Sequence, residues 1–311
     1  MLFIGSGAVN LSVAGWLSPY VDELSFLVRT PDNELISKRK FRCKYEDDDW
    51  KEFDCFATSE ISELTVPDVV IVGVKSYALE EVCVKIVDAF GSNIPVVSVL
   101  NGVRHIEVLE KKFKRVILAT IFYNAYRLSP SEAVVLSGSI ALSSNTDCKT
   151  IGRLNAVLNK SIPITVIDKP TDVAHCKLVM NLGNALLTMV AYHDNRNRDL
   201  KELQQLIANM MWEGVCVLKK HGIKEVRVPN LPSWMLLWLS VTLPSFIVVP
   251  IFKKKMEISA INSMAQDVAS GSHQTELEDL NGCLVSLAER LNVEVPYNKG
   301  VYQLFKKWNV K

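Results

Sequence analysis

The sequence lacks the patterns that indicate metal binding, a disulfide scaffold or export. Its seven cysteines are scattered singly, with no C-x-x-C pair and no histidines at zinc-ligand spacing. No basic segment precedes the first apolar residues, which run directly into a glycine turn and do not resemble a signal peptide. We therefore expect reduced thiols, a cytoplasmic protein and no metal. The first strand would be very short, which leaves open a native start upstream of Met1.

An excess of charge of one sign is also missing. Thirty-five basic and 34 acidic residues give a formal net charge of +1, so no overall field attracts nucleic acid or an anionic membrane. The 311 residues, 49% of them hydrophobic, suffice for two domains with buried cores. We expect a globular protein without a nucleic-acid partner.

Two kinds of periodicity divide the chain. Up to Asp168, short β-branched runs alternate with amphipathic stretches, which predicts βαβ units and a parallel sheet. Beyond Asp168 the apolar period is near 3.6 residues, typical of helices. The sequence thus predicts an α/β domain with a parallel sheet over 1–168 and an all-α domain over 169–311. The predicted strands are 2–4, 25–28, 69–74, 96–100 and 116–120, with a more antiparallel edge from 133–136, 139–142 and 164–167, and the predicted helices are 172–192, 200–221 and 277–291.

Residues 231–252 form the one long uncharged segment, which is long enough to cross a bilayer. Pro232, Pro244 and Pro250 divide it, and several hydroxyl side chains add polarity. We favour two short apolar helices, buried in the second domain or at a subunit interface, over a membrane span. A homodimer through the helical domain stays open.

A glycine fingerprint follows the first predicted strand, in the order Gly5-Ser6-Gly7-Ala8-Val9-Asn10. Gly5 permits a tight turn, and Gly7 lets the N–H groups of Ala8 and Val9 approach a pyrophosphate at a helix N-terminus. Asn10 replaces the usual third glycine, so we expect it to push helix and strand apart or to turn outward. A glycine turn without a ligand is the alternative.

Charged and polar residues follow three further strands. Arg29 ends the second strand, where an NAD site would carry an acidic residue, and an arginine suits the 2′-phosphate of NADP(H). Lys38 or Arg39 could assist, although Arg29 could also be a simple surface charge. Lys75 and Asn101 follow two later strands, and the carboxyl ends of parallel strands form the ligand site of such sheets.

The sequence resembles the ketopantoate reductase family (2-dehydropantoate 2-reductases) over nearly its whole length. The motifs that carry the resemblance are the glycine turn, VKSYALEEV, LNGV, KLVMNLGNAL and SMAQDVASGSHQTELEDLNG. The resemblance implies NADPH-dependent reduction of a 2-keto acid, foremost 2-dehydropantoate to pantoate in pantothenate and coenzyme A biosynthesis. It also implies that the α/β domain over 1–168 is a Rossmann domain, joined to a helical domain like the C-terminal domain of 6-phosphogluconate dehydrogenase.

The resemblance assigns roles to individual residues. Lys177 matches the catalytic lysine, and the substrate-binding positions are Asn101, Asn181, Ser263 and Glu276. Asn101 also contacts the cofactor, together with Gly5, Gly7, Arg29 and Lys75.

The helix pattern points to Lys177 independently. Lys177, Asn181 and Asn184 are spaced i, i+4 and i+7, which places them on one face of an otherwise apolar helix. Hydride transfer leaves negative charge on the keto oxygen, and an ammonium group can stabilise that charge and donate a proton. Alternatively, Lys177 reaches solvent from a core helix. His175 and His193 are rival acids without a motif.

Three departures concern the substrate. Ala185 stands where the family often has a second asparagine, the segment from Ser263 to Glu276 is one residue longer than usual, and Ser272 replaces a common arginine. A different 2-keto acid, or an NADP-binding protein without catalysis, therefore stays open.

Overall fold

The fold is described from a computed structural model. It covers residues 1–29, 37–46, 48–192, 199–259, 263–269 and 271–309, with backbone alone at 37–39 and 254–259. The chain divides into two compact units. The first consists of Met1–Leu100, Arg104–Pro170 and Val228–Asn230, and the second of Asn101–Val103, Thr171–Arg227 and Leu231–Lys311.

The first unit contains a sheet to which the described residues contribute 11 strands. Their order across the sheet is β11-β10-β7-β6-β5-β1-β2-β4-β3-β9-β8. The strands are β1 Leu2–Ile4, β2 Ser25–Leu27, β3 Ser37–Tyr45, β4 Lys51–Thr58, β5 Val70–Val72, β6 Val96–Ser98, β7 Val116–Ile121, β8 Ala125–Ser129, β9 Glu132–Val135, β10 Ile140–Ser143 and β11 Ile164–Ile167.

The parallel centre of the sheet confirms the first five predicted strands. They form the run β7-β6-β5-β1-β2, and every neighbouring pair in it is parallel. The expected antiparallel edge is only partly present. β10 runs antiparallel to β7, but β11 is parallel to β10, and β9 lies near the opposite edge beside β3. β3, β4 and β8 were not predicted.

Helices and aromatic side chains cover the sheet. The helices of this unit are α1 Ala8–Leu17, α2 Leu79–Phe90, α3 Arg104–Lys112 and α4 Cys148–Leu158. Phe26 stacks on Phe3 and Phe41, with ring centroids 4.9 and 5.1 Å apart. Trp16 of α1 stacks on Tyr45 of β3. α1 is thereby fixed against the sheet directly after the glycine turn.

The second unit is helical in its described part. The predicted helix 200–221 is confirmed as α7, whereas 172–192 is interrupted at residues 182–183, and 277–291 begins with the π-helical segment Glu278–Gly282, called here the π turn. The helices are α5 Pro170–Asn181, α6 Asn184–Tyr192, α7 Leu200–His221, α8 Trp234–Thr242, α9 Ser245–Ser259, α10 Ser263–Ala269, α11 Cys283–Leu291 and α12 Pro296–Asn309.

The uncharged segment forms α8 and α9, as expected, but the second unit does not bury it. Met235, Phe246 and Ile251 are 64%, 78% and 62% exposed. Within the described residues, only Pro170–Tyr192, across α5 and α6, is long and apolar enough to cross a membrane, and 72% of its most apolar window is buried in the protein. Such burial is typical of core helices.

Candidate active site

The glycine turn connects β1 to the N-terminus of α1. Gly5 adopts φ +87°, a conformation that favours glycine, and its N–H donates to the Leu27 carbonyl at 2.8 Å. Gly7 precedes α1 in an extended conformation and offers no capping side chain. The first turn of α1, described in full, contains no acidic residue. The positive helix end that begins with Ala8 and Val9 therefore suits an anionic pyrophosphate.

The expectation that Asn10 turns outward is wrong. Its side chain is fully buried, and Nδ2 donates to the carbonyl oxygens of Ile4 at 2.8 Å and Gly5 at 2.7 Å. Space for this amide comes from Gly73 at the end of β5, where a Cβ would collide with Asn10 Oδ1. The glycine that makes room for this side chain therefore lies at the end of the strand and not on the helix. This packing role of Gly73 was not predicted, and its only signal was a glycine at a strand end.

Two basic residues follow the strands on either side of β1. β2 and β5 both pair with β1 in parallel, so the carboxyl ends of the three strands lie side by side. Arg29 and Lys75 therefore follow their strands on the side of the sheet where the glycine turn follows β1. Arg29 is exposed and Lys75 is half-buried. The side chains of Lys38 and Arg39, on β3, lie outside the described residues.

Lys177 and Asn181 lie one turn apart on α5, as predicted. Lys177 is half-buried and Asn181 is only 8% exposed. Asn184 does not continue their stripe on the same helix, because α5 ends at Asn181 and Asn184 begins α6. The prediction of one continuous helix through all three residues is therefore wrong. The sequence L-G at 182–183 gave no strong sign of this interruption.

Ser263 and Glu276 interact with each other, and the Glu276 carboxylate also acts on Lys177. Ser263 Oγ donates a hydrogen bond of 2.7 Å to Glu276 Oε2. Burial lowers the pKa of Lys177 to about 8, and the nearby Glu276 carboxylate opposes this by raising it. Three residues separated by up to 99 positions (177 to 276) in the sequence thus form one cluster.

Asn101 belongs to the second unit together with this cluster. It is half-buried, and Gly102 beside it adopts φ +82°. A Cβ on Gly102 would lie 2.9 Å from the Asp279 carbonyl oxygen, so the turn packs directly on the π turn. Asn101 is therefore held against the segment that follows Glu276.

The remaining predicted positions take no part in this cluster. Ala185 is fully buried in the apolar core, and Ser272 closes a local turn by donating from Oγ to the Gln274 carbonyl at 2.9 Å. His175 donates from Nδ1 to the Thr171 carbonyl, and burial lowers its pKa. His193 lies outside the described residues. The residues that are described contain no group of three or more His, Cys, Asp or Glu able to hold a metal ion.

Family models match both parts of the chain. The model described as Ketopantoate reductase PanE/ApbA matches residues 1–145, and that of the Ketopantoate reductase PanE/ApbA C terminal matches residues 172–309. A search of curated protein sequences finds no significant match.

Solved structures share the whole fold at low identity. A PanE/ApbA family ketopantoate reductase from Ralstonia eutropha JMP134 is 19% identical, with a TM-score of 0.73 over 100% of both chains. A dimeric ketopantoate reductase from Staphylococcus aureus is 16% identical, with a TM-score of 0.74 over 99% of this chain and 98% of that one. D-mandelate dehydrogenase with NADH and anilino(oxo)acetate is 16% identical, with a TM-score of 0.77 over 100% and 98%. The family models cover most of the sequence, and this chain belongs to the ketopantoate reductase family of NAD(P)-dependent oxidoreductases.

Proposed function

We propose that the protein reduces a 2-keto acid with NADPH, and that this acid is 2-dehydropantoate, which yields pantoate for pantothenate and coenzyme A biosynthesis. In this proposal, residues 1–168 bind the cofactor, and residues 169–311 together with Asn101 bind the substrate. The observation that carries it is Lys177, which is partly buried, has a pKa lowered to about 8 and lies near Glu276.

Lys177 would act on the keto oxygen. NADPH supplies the hydride that reaches the keto carbon. The Lys177 ammonium stabilises the negative charge that develops on oxygen and then donates its proton to it. A pKa of about 8 keeps most of this lysine protonated at neutral pH, yet makes its proton easier to transfer than that of an ordinary lysine.

The neighbouring polar groups would orient the substrate. The amides of Asn181 and Asn101 can donate to the keto or carboxylate oxygens. Ser263 is proposed to bind the substrate carboxylate, but its hydroxyl donates to Glu276 in the structure. It would therefore have to exchange this hydrogen bond when substrate arrives, leaving Glu276 to favour the charged form of Lys177.

Oxidation of NADPH followed at 340 nm with 2-dehydropantoate tests this function. Wild-type protein should turn over, and Lys177→Met should lower kcat at least about 100-fold, the size of a general-acid contribution. Lys220→Met removes an exposed lysine from the end of α7 and is the matched control. Equal activity of Lys177→Met and Lys220→Met would refute the assigned role.

Arg29 supports NADPH over NADH. It follows β2, directly beside the strand that carries the glycine turn, and its exposed guanidinium suits a 2′-phosphate. Arg29→Ala should raise the KM for NADPH by about 10-fold or more, equivalent to losing a charge-assisted hydrogen bond, and change the KM for NADH little. Arg153→Ala, at an exposed site on α4, is the control. An equal change for both cofactors would contradict the assignment.

A different 2-keto acid is the second candidate. Ala185, buried in the core, cannot supply the hydrogen bond of a second substrate asparagine. A panel of aliphatic and aromatic 2-keto acids under saturating NADPH would identify the best substrate by kcat/KM. NADPH binding without turnover of any member would instead favour a cofactor-binding protein that does not catalyse reduction.

We also propose a cytoplasmic homodimer through the helical domain. None of the seven cysteines, all of which lie in the described part of the chain, forms a disulfide, which suits a reducing compartment. The exposed apolar side chains of α8 and α9 include Trp238 and Phe246, and a second copy could cover them. Sedimentation should show a dimer for the wild type and a monomer for Phe246→Asp. A monomer at all concentrations, or binding of the wild type to lipid vesicles, would overturn this assembly.

A further inference from the structure

The interruption between α5 and α6 is supported from outside these helices. Carbonyl groups at the end of a helix need donors that the helix itself does not provide. Asn281, which is fully buried in the π turn, donates from Nδ2 to the Leu182 carbonyl at 3.0 Å. Leu182 directly follows Asn181, so this bond holds the chain where the proposed substrate asparagine ends its helix.

The π turn also contacts Glu276 and the neighbour of Asn101, two other proposed site residues. The Asn101–Gly102 turn packs against the Asp279 carbonyl oxygen. The N–H groups of Asp279 and Leu280 donate to the Glu276 carbonyl at 3.1 and 3.0 Å. One short segment therefore contacts the chain at or beside three proposed site residues, Asn181, Asn101 and Glu276. π-helical turns of this kind occur frequently at functional sites.

A buried network anchors Asn281 itself. Its Nδ2 lies 3.5 Å from Asn298 Oδ1, and Asn298 in turn donates to the Met210 carbonyl at 2.9 Å and to Glu213 Oε2 at 2.7 Å. Asn281 Oδ1, in contrast, is buried and has no hydrogen-bond partner in the described part of the chain. An unpaired buried acceptor is unfavourable, so stability alone would favour an apolar side chain here.

We infer that Asn281 is a positioning residue, whose amide holds the turn after Asn181 on the π turn and thereby fixes Asn181 and Lys177 relative to Glu276 and Asn101. This inference rests on the proposed function. A side chain displaced by about 1 Å from its productive position can lower a rate by about 100-fold. The loss should therefore appear in kcat for the keto acid, and the KM for NADPH should not change.

Asn281→Leu removes the donor at similar volume, and Gln204→Leu is its matched control. Gln204 is also a buried amide of the second unit, and it donates to a backbone carbonyl, that of Ser240, at 3.0 Å. Both variants should lose similar stability, but only Asn281→Leu should lower kcat at least about tenfold. Asn281→Ser, whose short hydroxyl cannot reach the Leu182 carbonyl, replaces Asn281→Leu if the latter does not fold.

Competitive acetylation of Lys177, read by mass spectrometry across pH, provides a readout that needs no substrate. Loss of the Asn281 contact should raise the pKa of Lys177, because a loosened α5 admits water to the ammonium group. An unchanged labelling curve together with an unchanged kcat, or equal losses of kcat in Asn281→Leu and Gln204→Leu, would overturn the inference. A shifted labelling curve in a protein that reduces no 2-keto acid would contradict the proposed function alone.

Discussion

The rate of keto acid reduction should fall as the pH rises through about 8. Burial lowers the pKa of Lys177 to about 8, and only the protonated lysine can donate a proton to the keto oxygen. The fraction of protonated Lys177 is about 0.9 at pH 7 and about 0.1 at pH 9. A lysine with an unperturbed pKa would still be about 97% protonated at pH 9. The expected fall in kcat/KM between these pH values is therefore about tenfold.

Glu276→Gln tests the cause of this pH dependence. The Glu276 carboxylate raises the pKa of Lys177 against the larger effect of burial. Its removal should lower that pKa, so the descending limb of the pH profile should move to lower pH. Glu289→Gln removes an exposed carboxylate of the same unit that pairs with Lys299, and it should leave the limb in place.

The assay is kcat/KM for the keto acid, measured at saturating NADPH from pH 6 to pH 10 (about 0.5 pH unit apart), with circular dichroism to verify folding at each pH. A profile that stays flat to pH 10 in the wild type would refute the role of Lys177 as proton donor. A limb that moves to higher pH in Glu276→Gln would refute the electrostatic argument. Equal shifts in Glu276→Gln and Glu289→Gln would point to net charge instead of the local carboxylate.

Two further substitutions test the separate binding sites. Ser263→Ala should raise the KM for the keto acid about 5- to 10-fold through loss of one hydrogen bond. The KM for NADPH should stay unchanged in the same steady-state assay, and equal changes in both KM values would contradict a substrate role. Gly5→Ala should weaken NADPH binding at least about tenfold, because a side chain at φ +87° costs about 1–2 kcal/mol and distorts the turn. Fluorescence titration measures this affinity, and an unchanged affinity would show that this turn does not hold the cofactor.

The centre of the sheet was predictable because buried parallel strands have continuous β-branched sequences. β5 and β6 read V-I-V and V-V-S, and all their side chains are buried. β3 was missed because its charged residues, such as Lys40 and Arg42, alternate with the buried Phe41 and Cys43. This alternation is the period of a strand with one buried face, but the density of charge concealed it.

The candidate site was predictable as a set of residues but not as an arrangement. The family resemblance named Lys177, Ser263 and Glu276, whereas nothing in their spacing implies that they interact. The interruption after Asn181 depends on tertiary packing, since Gly183 lies against Ile207, where a Cβ would be 3.3 Å from its Cγ2. The lowered pKa of Lys177 was also not predictable, because it depends on how deeply the side chain is buried. Sequence periodicity shows which face of a helix is buried but not the degree of burial.

The contact between Asn10 and Gly73 shows how a departure from a motif can be compensated elsewhere. Gly73→Ala would place a methyl group against Asn10 Oδ1, an overpacking that should cost about 1–3 kcal/mol of unfolding free energy. Asn10→Gly alone should cost about 2–3 kcal/mol, because it loses two hydrogen bonds and adds a glycine to α1. If the compensation is real, these two costs cannot be additive.

Urea denaturation of the two single variants and the double variant measures this coupling. In the Asn10→Gly background the methyl group added by Gly73→Ala would have space, so this second substitution should cost less than about 0.5 kcal/mol. The coupling energy should therefore be about 0.5–3 kcal/mol. Gly152→Ala on α4, where a Cβ meets open space, should combine additively with Asn10→Gly. If the costs of Asn10→Gly and Gly73→Ala are also additive, the two positions do not affect each other's packing. Asn10 would then not take over the packing role of the third glycine.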